Sequence, residues 1–452
     1  MFAISLLSIQ NEQAEFQKAN VNKLKLPIVD DSSAIGKSSV ASSLIETTKK
    51  FIARQPIFTT GNDVFGYEVL FRAGPENYFT GNSADVSASQ MDNLLLFGID
   101  KVTSSRLAFL NCPRDFLLHD YLTFLPPDRV VGEILETVSP DTETLEACRR
   151  LKRLGYRFAL DDFVDSPEMA PFVEIADYIK IDFLATTPLE QERLARELRH
   201  RDVQLIAEKV ETHEDVQRGM AMGYMYFQGY YFCRPQMAER RDIPAYKMNY
   251  LRILQIANQP EFDGGKMAEA IRQEASLAYR LLRYLNSPAF TLRANVDSIP
   301  HALTLLGERD TRKWISLVAV AAMGGDKPHE LVLLPLTRAR FCELLAEAGN
   351  LQSRADDLFL MGLLSAMDAI MDLPMSAVLA DLPVQQEIKD ALLSQVGRFR
   401  SILEIAKNYE QGDWKQLSAS AKLAHIQEEA LPDLFVQALD WARQILGFTH
   451  RG

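Results

Sequence analysis

Asp161 and Asp162 stand side by side at the end of residues 157–163, RFALDDF. The apolar residues before them suggest a buried strand. Two adjacent acids at such an end are costly unless a positive group lies against them: an arginine, a lysine or a metal ion. Polar groups recur at or near the ends of other β-like runs: Glu68, Asn111, Glu133 with Glu136, Lys180 with Asp182, Glu208 with Glu211 just past it, and Gln228. A single acid there would most often cap a helix or face solvent, but a polar group on run after run is hard to explain as capping. Carboxylates gathered in one mouth cannot all stay charged without cations, because their repulsion drives some to take up protons. Hard oxygen donors with an amide carbonyl and no histidine suit Mg²⁺ or Mn²⁺, and also Ca²⁺, rather than zinc. Two such ions about 4 Å apart can clamp a phosphate, acidify a bridging water and steady the leaving oxygen. Lys180 would add a fixed positive charge near the attacked phosphorus or the water. The residues themselves therefore read as metal-assisted hydrolysis of a phosphoester.

Such a mouth needs a scaffold that brings strand ends together. β-like runs fall at 52–58, 64–71, 106–111, 129–136, 156–161, 177–182, 203–208 and 224–232, with helical stretches at 85–100, 141–154, 188–201 and 212–222. Alternating strands and helices indicate a parallel sheet. Eight such runs fit a compact α/β fold, a (β/α)₈ TIM-like barrel whose C-terminal mouth carries the chemistry. The first two runs, around Gly61-Asn62-Asp63, read as a hairpin, so one strand is antiparallel or outside the barrel. After Pro235 the β texture stops. Apolar residues at three- and four-residue steps in 251–257, 267–285 and 301–322 predict an all-α second domain. The short strand-like stretch 331–336 reads as a loop or a helix start.

The totals narrow the classes of function. The chain has 452 residues and a net charge of −12, which disfavours DNA or RNA as a partner. Cys112, Cys148, Cys233 and Cys342 are scattered without a CxxC pair, so free thiols in a reducing compartment are expected. No run approaches the length of a membrane span, and MFAISLLSIQ at the start lacks a basic n-region and a cleavage site. The expectation is a cytoplasmic protein with no membrane insertion. Residues 1–50 read as a partly flexible leader. Its Gly36-Lys37-Ser38 mimics the end of a phosphate loop, but Asp31 stands where the motif needs glycine.

The order of motifs then becomes specific. Glu68-Val69-Leu70-Phe71-Arg72, with Gln55-Pro56-Ile57 upstream, resembles the signature of EAL-domain phosphodiesterases, which open cyclic di-GMP. Asn111, the run Glu133-Ile134-Leu135-Glu136-Thr137, Asp161-Asp162-Phe163, Lys180-Ile181-Asp182, Glu208-Lys209-Val210-Glu211-Thr212 and Gln228-Gly229-Tyr230 follow in that family's order. The resemblance implies a two-ion site for Mg²⁺ or Mn²⁺. Glu68, Asn111, Glu133 and Asp161 would hold the first ion, and Asp162 and Glu208 the second. Lys180 and Glu211, with Glu208, would position or activate the water, and Gln228 would help place metal or ligand. Gln55, Leu70 and Arg72 would meet the substrate, and Glu136 would anchor the loop after Asp162. That loop departs from the family: Val164-Asp165-Ser166-Pro167 replaces its usual Gly-Thr-Gly, whose glycines allow positive φ angles that Val164 resists. In the family the loop helps order both the metal site and a homodimer.

The second half resembles the HDOD domain through residues 276–287, SLAYRLLRYLNS, and through Ser298-Ile299 leading to Ala302-Leu303-Thr304-Leu305-Leu306-Gly307. Such domains resemble HD hydrolases in fold but lack their metal ligands. The stretch Met361-Gly362-Leu363-Leu364-Ser365-Ala366-Met367-Asp368 agrees, since it has no His-Asp pair. The resemblance implies an EAL–HDOD fusion of bacterial signalling, with an EAL barrel over 51–240 and a regulatory all-α HDOD domain over 241–452 that takes a protein partner. Three readings follow: hydrolysis of cyclic di-GMP to linear pGpG, binding without turnover relayed through the helical domain, and a pure interaction scaffold. The retained acids favour the first, and the altered loop favours the second.

Overall fold

Eight strands close into one barrel in the computed structural model, which describes residues 51–72, 98–229, 244–286, 296–394 and 396–450. They are β1 (Phe51–Thr59), β2 (Val64–Arg72), β3 (Leu107–Cys112), β4 (Val130–Ile134), β5 (Arg157–Leu160), β6 (Tyr178–Asp182), β7 (Gln204–Glu208) and β8 (Tyr226–Phe227). Strand β1 is antiparallel to both β2 and β8, while the other neighbours run parallel. The expected hairpin therefore lies within the barrel wall and supplies its one reversed strand, with Asn62 at φ 64 in its tip.

Side chains alternate between the two faces of a strand, and that period of two builds the site. Ile57, Phe109, Val131, Ala159, Tyr178 and Ile206 form a small cluster with Tyr226 packed on it, the plug that fills a barrel of this kind. Two positions closer to the mouth on those strands stand Gln55, Asn111, Glu133, Asp161, Lys180, Glu208 and Gln228. Gly66 holds the equivalent place below Glu68; a Cβ there would lie 3.0 Å from the Phe109 ring. The outward residues, such as Leu110, Val130, Phe158 and Ile179, are buried beneath the surrounding helices.

Those helices are α1 (Thr142–Arg153), α2 (Pro188–Leu198) and α3 (His213–Met222). Each starts on a side-chain cap. Asp141 accepts from the Thr144 amide at 2.9 Å, Thr187 forms a capping box with Glu190, and Thr212 forms one with Asp215. These caps end the loops that leave the mouth and so restrain them. Of the helix expected at 85–100, only its end is described, within a short helix Ile99–Thr103. The leader at 1–50 and Cys233 lie outside the described residues, whereas Cys112, Cys148 and Cys342 are buried free thiols.

The second half is helical: α4 (Ala245–Ala257), α5 (Gly264–Gln273), α6 (Ala275–Leu285), α7 (Ile299–Met323), α8 (His329–Ala348), α9 (Ala355–Leu364), α10 (Arg398–Gln411), α11 (Trp414–Ala424) and α12 (Leu431–His450) are its longer elements. The window 267–285 is two helices rather than one, broken where Glu274 takes φ −112 and ψ 93. Helix α7 kinks at Gly307, and the strand-like 331–336 proves to be the start of α8, which carries Pro335 inside it. Helix α6 ends with Asn286 as its C-cap, as the Asn-Ser-Pro sequence predicts. No described helix is long and apolar enough to cross a membrane.

The packing does not divide where the sequence does. Phe51, the first residue of β1, is fully buried in the helical domain's core, 6.4 Å from the Tyr409 ring and 6.0 Å from Trp414. Barrel and helices thus share a core residue, and β1 lies between them.

Candidate active site

The sequence leaves open which positive group faces the acids; the structure places Lys180 there. Its Nζ lies 2.7 Å from Asp161 Oδ1, 2.7 Å from Glu208 Oε1, 2.8 Å from Glu133 Oε1 and 3.2 Å from Glu68 Oε2. These side chains come from β6, β5, β7, β4 and β2, so barrel closure alone brings them together. The Lys180 side chain is 1% exposed and that of Glu133 is 0% exposed, so solvent screens them little. Burial alone would depress the Lys180 ammonium, but Glu133, Glu208, Glu68 and Asp161 overcome it and hold its pKa well above the usual value. Burial drives the Glu133 carboxyl well up despite Lys180, and Glu68 and Asp161 add repulsion. Glu208 is pushed up to about 7, mainly by burial, against the pull of Lys180.

One ammonium cannot neutralise four carboxylates, and further acceptors beside it lack donors. Asn111 Oδ1, Glu133 Oε2 and Gln228 Oε1 are buried without a hydrogen-bond partner among the described residues. Asn111 and Glu133 are register partners on β3 and β4. A buried donor set of carboxylates and amide oxygens with no donors opposite fits a hard divalent cation. Among the described residues, no group of three or more His, Cys, Asp or Glu side chains forms a ready metal cage, because the acids converge on Lys180.

Gln55, Leu70, Asp162, Glu211 and Gln228 line the mouth around this centre, and Arg72 is not among its lining residues. Gln228 donates to Glu68 Oε2 at 2.8 Å and to Gln55 Oε1 at 3.0 Å. Its position depends on Gly229: a Cβ there would lie 2.3 Å from the Val210 amide nitrogen, so only glycine permits that approach. Asp162 lies outside the Lys180 cluster; it is half-exposed and pairs with Lys209 at 3.3 Å. Lys209 also holds Asp182 at 2.5 Å. Glu211 lines the same cavity, directly before the N-cap of α3. Arg72 closes β2.

Glu136 departs from its expected role. It is exposed in the turn after β4 and makes no hydrogen bond or ion pair with the 163–167 loop among the described residues. The loop is tied otherwise, through the Phe163 amide on the Lys180 carbonyl at 3.0 Å and through Asp165 on Arg193 at 2.8 Å. A positive φ is present at the start of this loop. Asp162 takes it, at 41, while Val164 does not and points 74% exposed into solvent. The strain thus falls on an acid, a residue type that tolerates this region better than a β-branched one.

The sequence reading missed the roof. The helical domain covers the mouth, leaving a cavity of about 510 Å³ lined by both domains. Gln55 donates to the Gln411 carbonyl at 2.8 Å. Leu70 packs on Gly412, where a Cβ would lie 2.6 Å from Leu70 Cδ1. Glu330, in the first turn of α8, pairs with Arg54 at 3.3 Å and accepts from the Tyr67 hydroxyl at 2.5 Å. Burial would raise the Glu330 carboxyl, but Arg54, His329 and Tyr67 hold it down to about 2. The one signal available was Gly412 beside Asp413 after an amphipathic helix, and it marks a turn without saying what the turn meets.

Fold and site together define a closed barrel with an acidic, lysine-centred mouth, joined to a helical domain that covers it. Residues 116–235 match the EAL domain model and residues 243–387 the HDOD domain model. The cyclic di-GMP phosphodiesterase CdgJ of Vibrio cholerae is 30% identical over 87% of this chain and 93% of its own length. The uncharacterized protein YuxH of Bacillus subtilis is 29% identical over 88% of this chain and 98% of its own. The chain belongs to the EAL–HDOD fusion family. Among solved structures, an EAL domain protein of Listeria monocytogenes is 21% identical, with 42% of this chain and 89% of that chain covered and a TM-score of 0.34. The manganese and cyclic di-GMP complex of Klebsiella pneumoniae BlrP1 is 20% identical over 42% of this chain and 57% of its own, with a TM-score of 0.36.

Proposed function

We propose that this chain hydrolyses cyclic di-GMP to linear pGpG, with an EAL barrel over residues 51–240 and an HDOD domain over residues 241–452 that regulates it. The observation that carries this is the convergence of Glu68, Glu133, Asp161 and Glu208 on Lys180, beside buried acceptors that have no donors. A scaffold has no physical need for so repulsive a cluster. Two divalent ions, Mg²⁺ or Mn²⁺, would be held by Glu68, Asn111, Glu133, Asp161, Asp162, Glu208 and Gln228, and would supply an acidified water and a charge clamp on the phosphate. Lys180 keeps a fixed proton and positive charge at the centre of the mouth, where negative charge builds in the transition state. Lys180 and Glu211, with Glu208, would position or activate the water. Gln55 and Leu70 edge the cavity from the barrel side.

A second reading, binding without turnover, draws on one observation: Val164-Asp165-Ser166-Pro167 replaces the glycine-containing loop after Asp162. One experiment separates the two. The purified full chain is incubated with cyclic di-GMP and Mn²⁺ or Mg²⁺, and linear pGpG is measured. Turnover that falls ~100-fold or more in Glu68→Ala supports hydrolysis. Saturable binding without product supports the receptor, and absence of both sinks either reading.

A further inference from the structure

The cavity over the mouth has two unlike walls. Its floor is the carboxylate cluster of the barrel, with Glu68, Asp161 and Glu208. Its roof belongs to the helical domain and is mixed: Leu333 and Leu334 of α8 and Phe435 and Leu439 of α12 are its apolar part, beside Glu330, Thr337, Arg338, Glu410 and Gln411. Leu333, Phe435 and Leu439 are buried and belong to the helical core. Leu334 differs. It is half-buried and, among the described residues, packs on none of the core clusters, and its side chain lines the cavity. Leu184, in the loop after β6, lines the same cavity from the barrel side and is 63% exposed. Two large apolar side chains thus border a cavity whose floor is charged, and their burial awaits an occupant.

We propose that Leu334 and Leu184 together grip a nucleobase of the substrate, so that the helical domain supplies a specificity-determining residue to the barrel's site. The inference rests on the reading of the substrate as a cyclic dinucleotide. A phosphodiester anchored at the acidic floor must project its flat, apolar-faced bases away from it, and the apolar part of the roof is the surface that suits them. The roof is held in place. Gln55 bonds Gln411, and Arg54 pairs with Glu330, so α8 is fixed over the mouth by contacts that need no ligand. The cavity volume of about 510 Å³ lies within the range of about 300–1,000 Å³ usual for small-molecule sites.

The test is steady-state kinetics on the full chain with Mn²⁺. Leu334→Ser and Leu184→Ser are each expected to raise KM for cyclic di-GMP ~10-fold, with kcat altered far less, because the contact is made equally in the ground and transition states. Leu334→Met is expected to keep KM near wild type. Turnover of bis(p-nitrophenyl) phosphate, which has no nucleobase, is expected to fall far less than that of the dinucleotide. Melting temperatures establish that the variants fold. Wild-type turnover with KM unchanged in both serine variants would overturn this inference while leaving the proposed function standing. A wild-type chain that neither binds nor cleaves cyclic di-GMP would remove both.

Discussion

Gln55 joins the two domains: its side-chain amide donates to the Gln411 carbonyl at 2.8 Å, and its amide oxygen accepts from Gln228 at 3.0 Å. The residue that resemblance assigns to the substrate is thus also a link between barrel mouth and helical domain. Gln55→Ala would leave the Gln411 carbonyl without this donor and Gln228 with one acceptor fewer. A loss of ~1 kcal/mol in chemical denaturation is expected. Faster hydrogen exchange at the α10–α11 turn should accompany it, and unchanged exchange there would count against the link.

Gly412 makes the sharper test of the same junction. It takes φ 67, and a Cβ would lie 2.6 Å from Leu70 Cδ1. Gly412→Val combines a forbidden conformation with a clash, and a loss of ~2–4 kcal/mol is expected. In Gly412→Ala, shortening Leu70 to alanine should recover part of the loss, because the space is then free. A double-mutant cycle measures that coupling, and additive losses would mean that the two residues do not meet.

Divalent ions should stabilise the folded chain directly. Asn111 Oδ1, Glu133 Oε2 and Gln228 Oε1 are buried acceptors without donors among the described residues, so ion binding relieves a cost already present. Adding Mn²⁺ at ~100 times its Kd should add ~2.7 kcal/mol, seen as a rise in Tm that chelation reverses. Glu133→Gln should abolish most of the rise. An equal rise in that variant would place the ion elsewhere.

Lys407 on α10 gives a pH signature from the helical domain. Burial, with Arg338 and Arg400 adding repulsion and Glu404 and Glu410 opposing it, pushes its ammonium down to about 8. A folded pKa below the unfolded one means that the unfolded chain binds the extra proton between about pH 8 and 10.5. Stability from this group therefore rises with pH across that window and is lowest below it. Lys407→Met should stabilise the protein at pH 7 by on the order of 1–3 kcal/mol and flatten the rise. Denaturation of both proteins at pH 7 and at pH 10 checks the sign.

Much of the site was legible because strands have a period of two. Asn111, Glu133, Asp161, Lys180 and Glu208 each end an apolar run, and alternation sends each to the face of the plug residue two positions before it. The caps at Asp141, Thr187 and Thr212 were equally local. In the altered loop, residue type marked Val164 as resisting positive φ, and Val164 does not adopt it; that the neighbouring Asp162 does was not legible, because dihedral angles answer to what the neighbouring strands hold in place. Glu136 was given an anchor's role by its place in a motif, and the turn that carries it faces solvent.

The sequence by itself determined which polar residues stand near the strand ends, that a β-rich half precedes a helical one, and that acids outnumber cations at the mouth. These follow from periodicity and residue type, which act over a few neighbours. Only the tertiary structure decided that Lys180 is the cation at the centre, since that depends on barrel closure bringing β2, β4, β5, β6 and β7 within a few ångströms. It alone decided that Phe51 belongs to the helical core and that Gly412 meets Leu70. Contacts between residues hundreds of positions apart are chosen by shape and burial across the whole chain, and no local pattern records them.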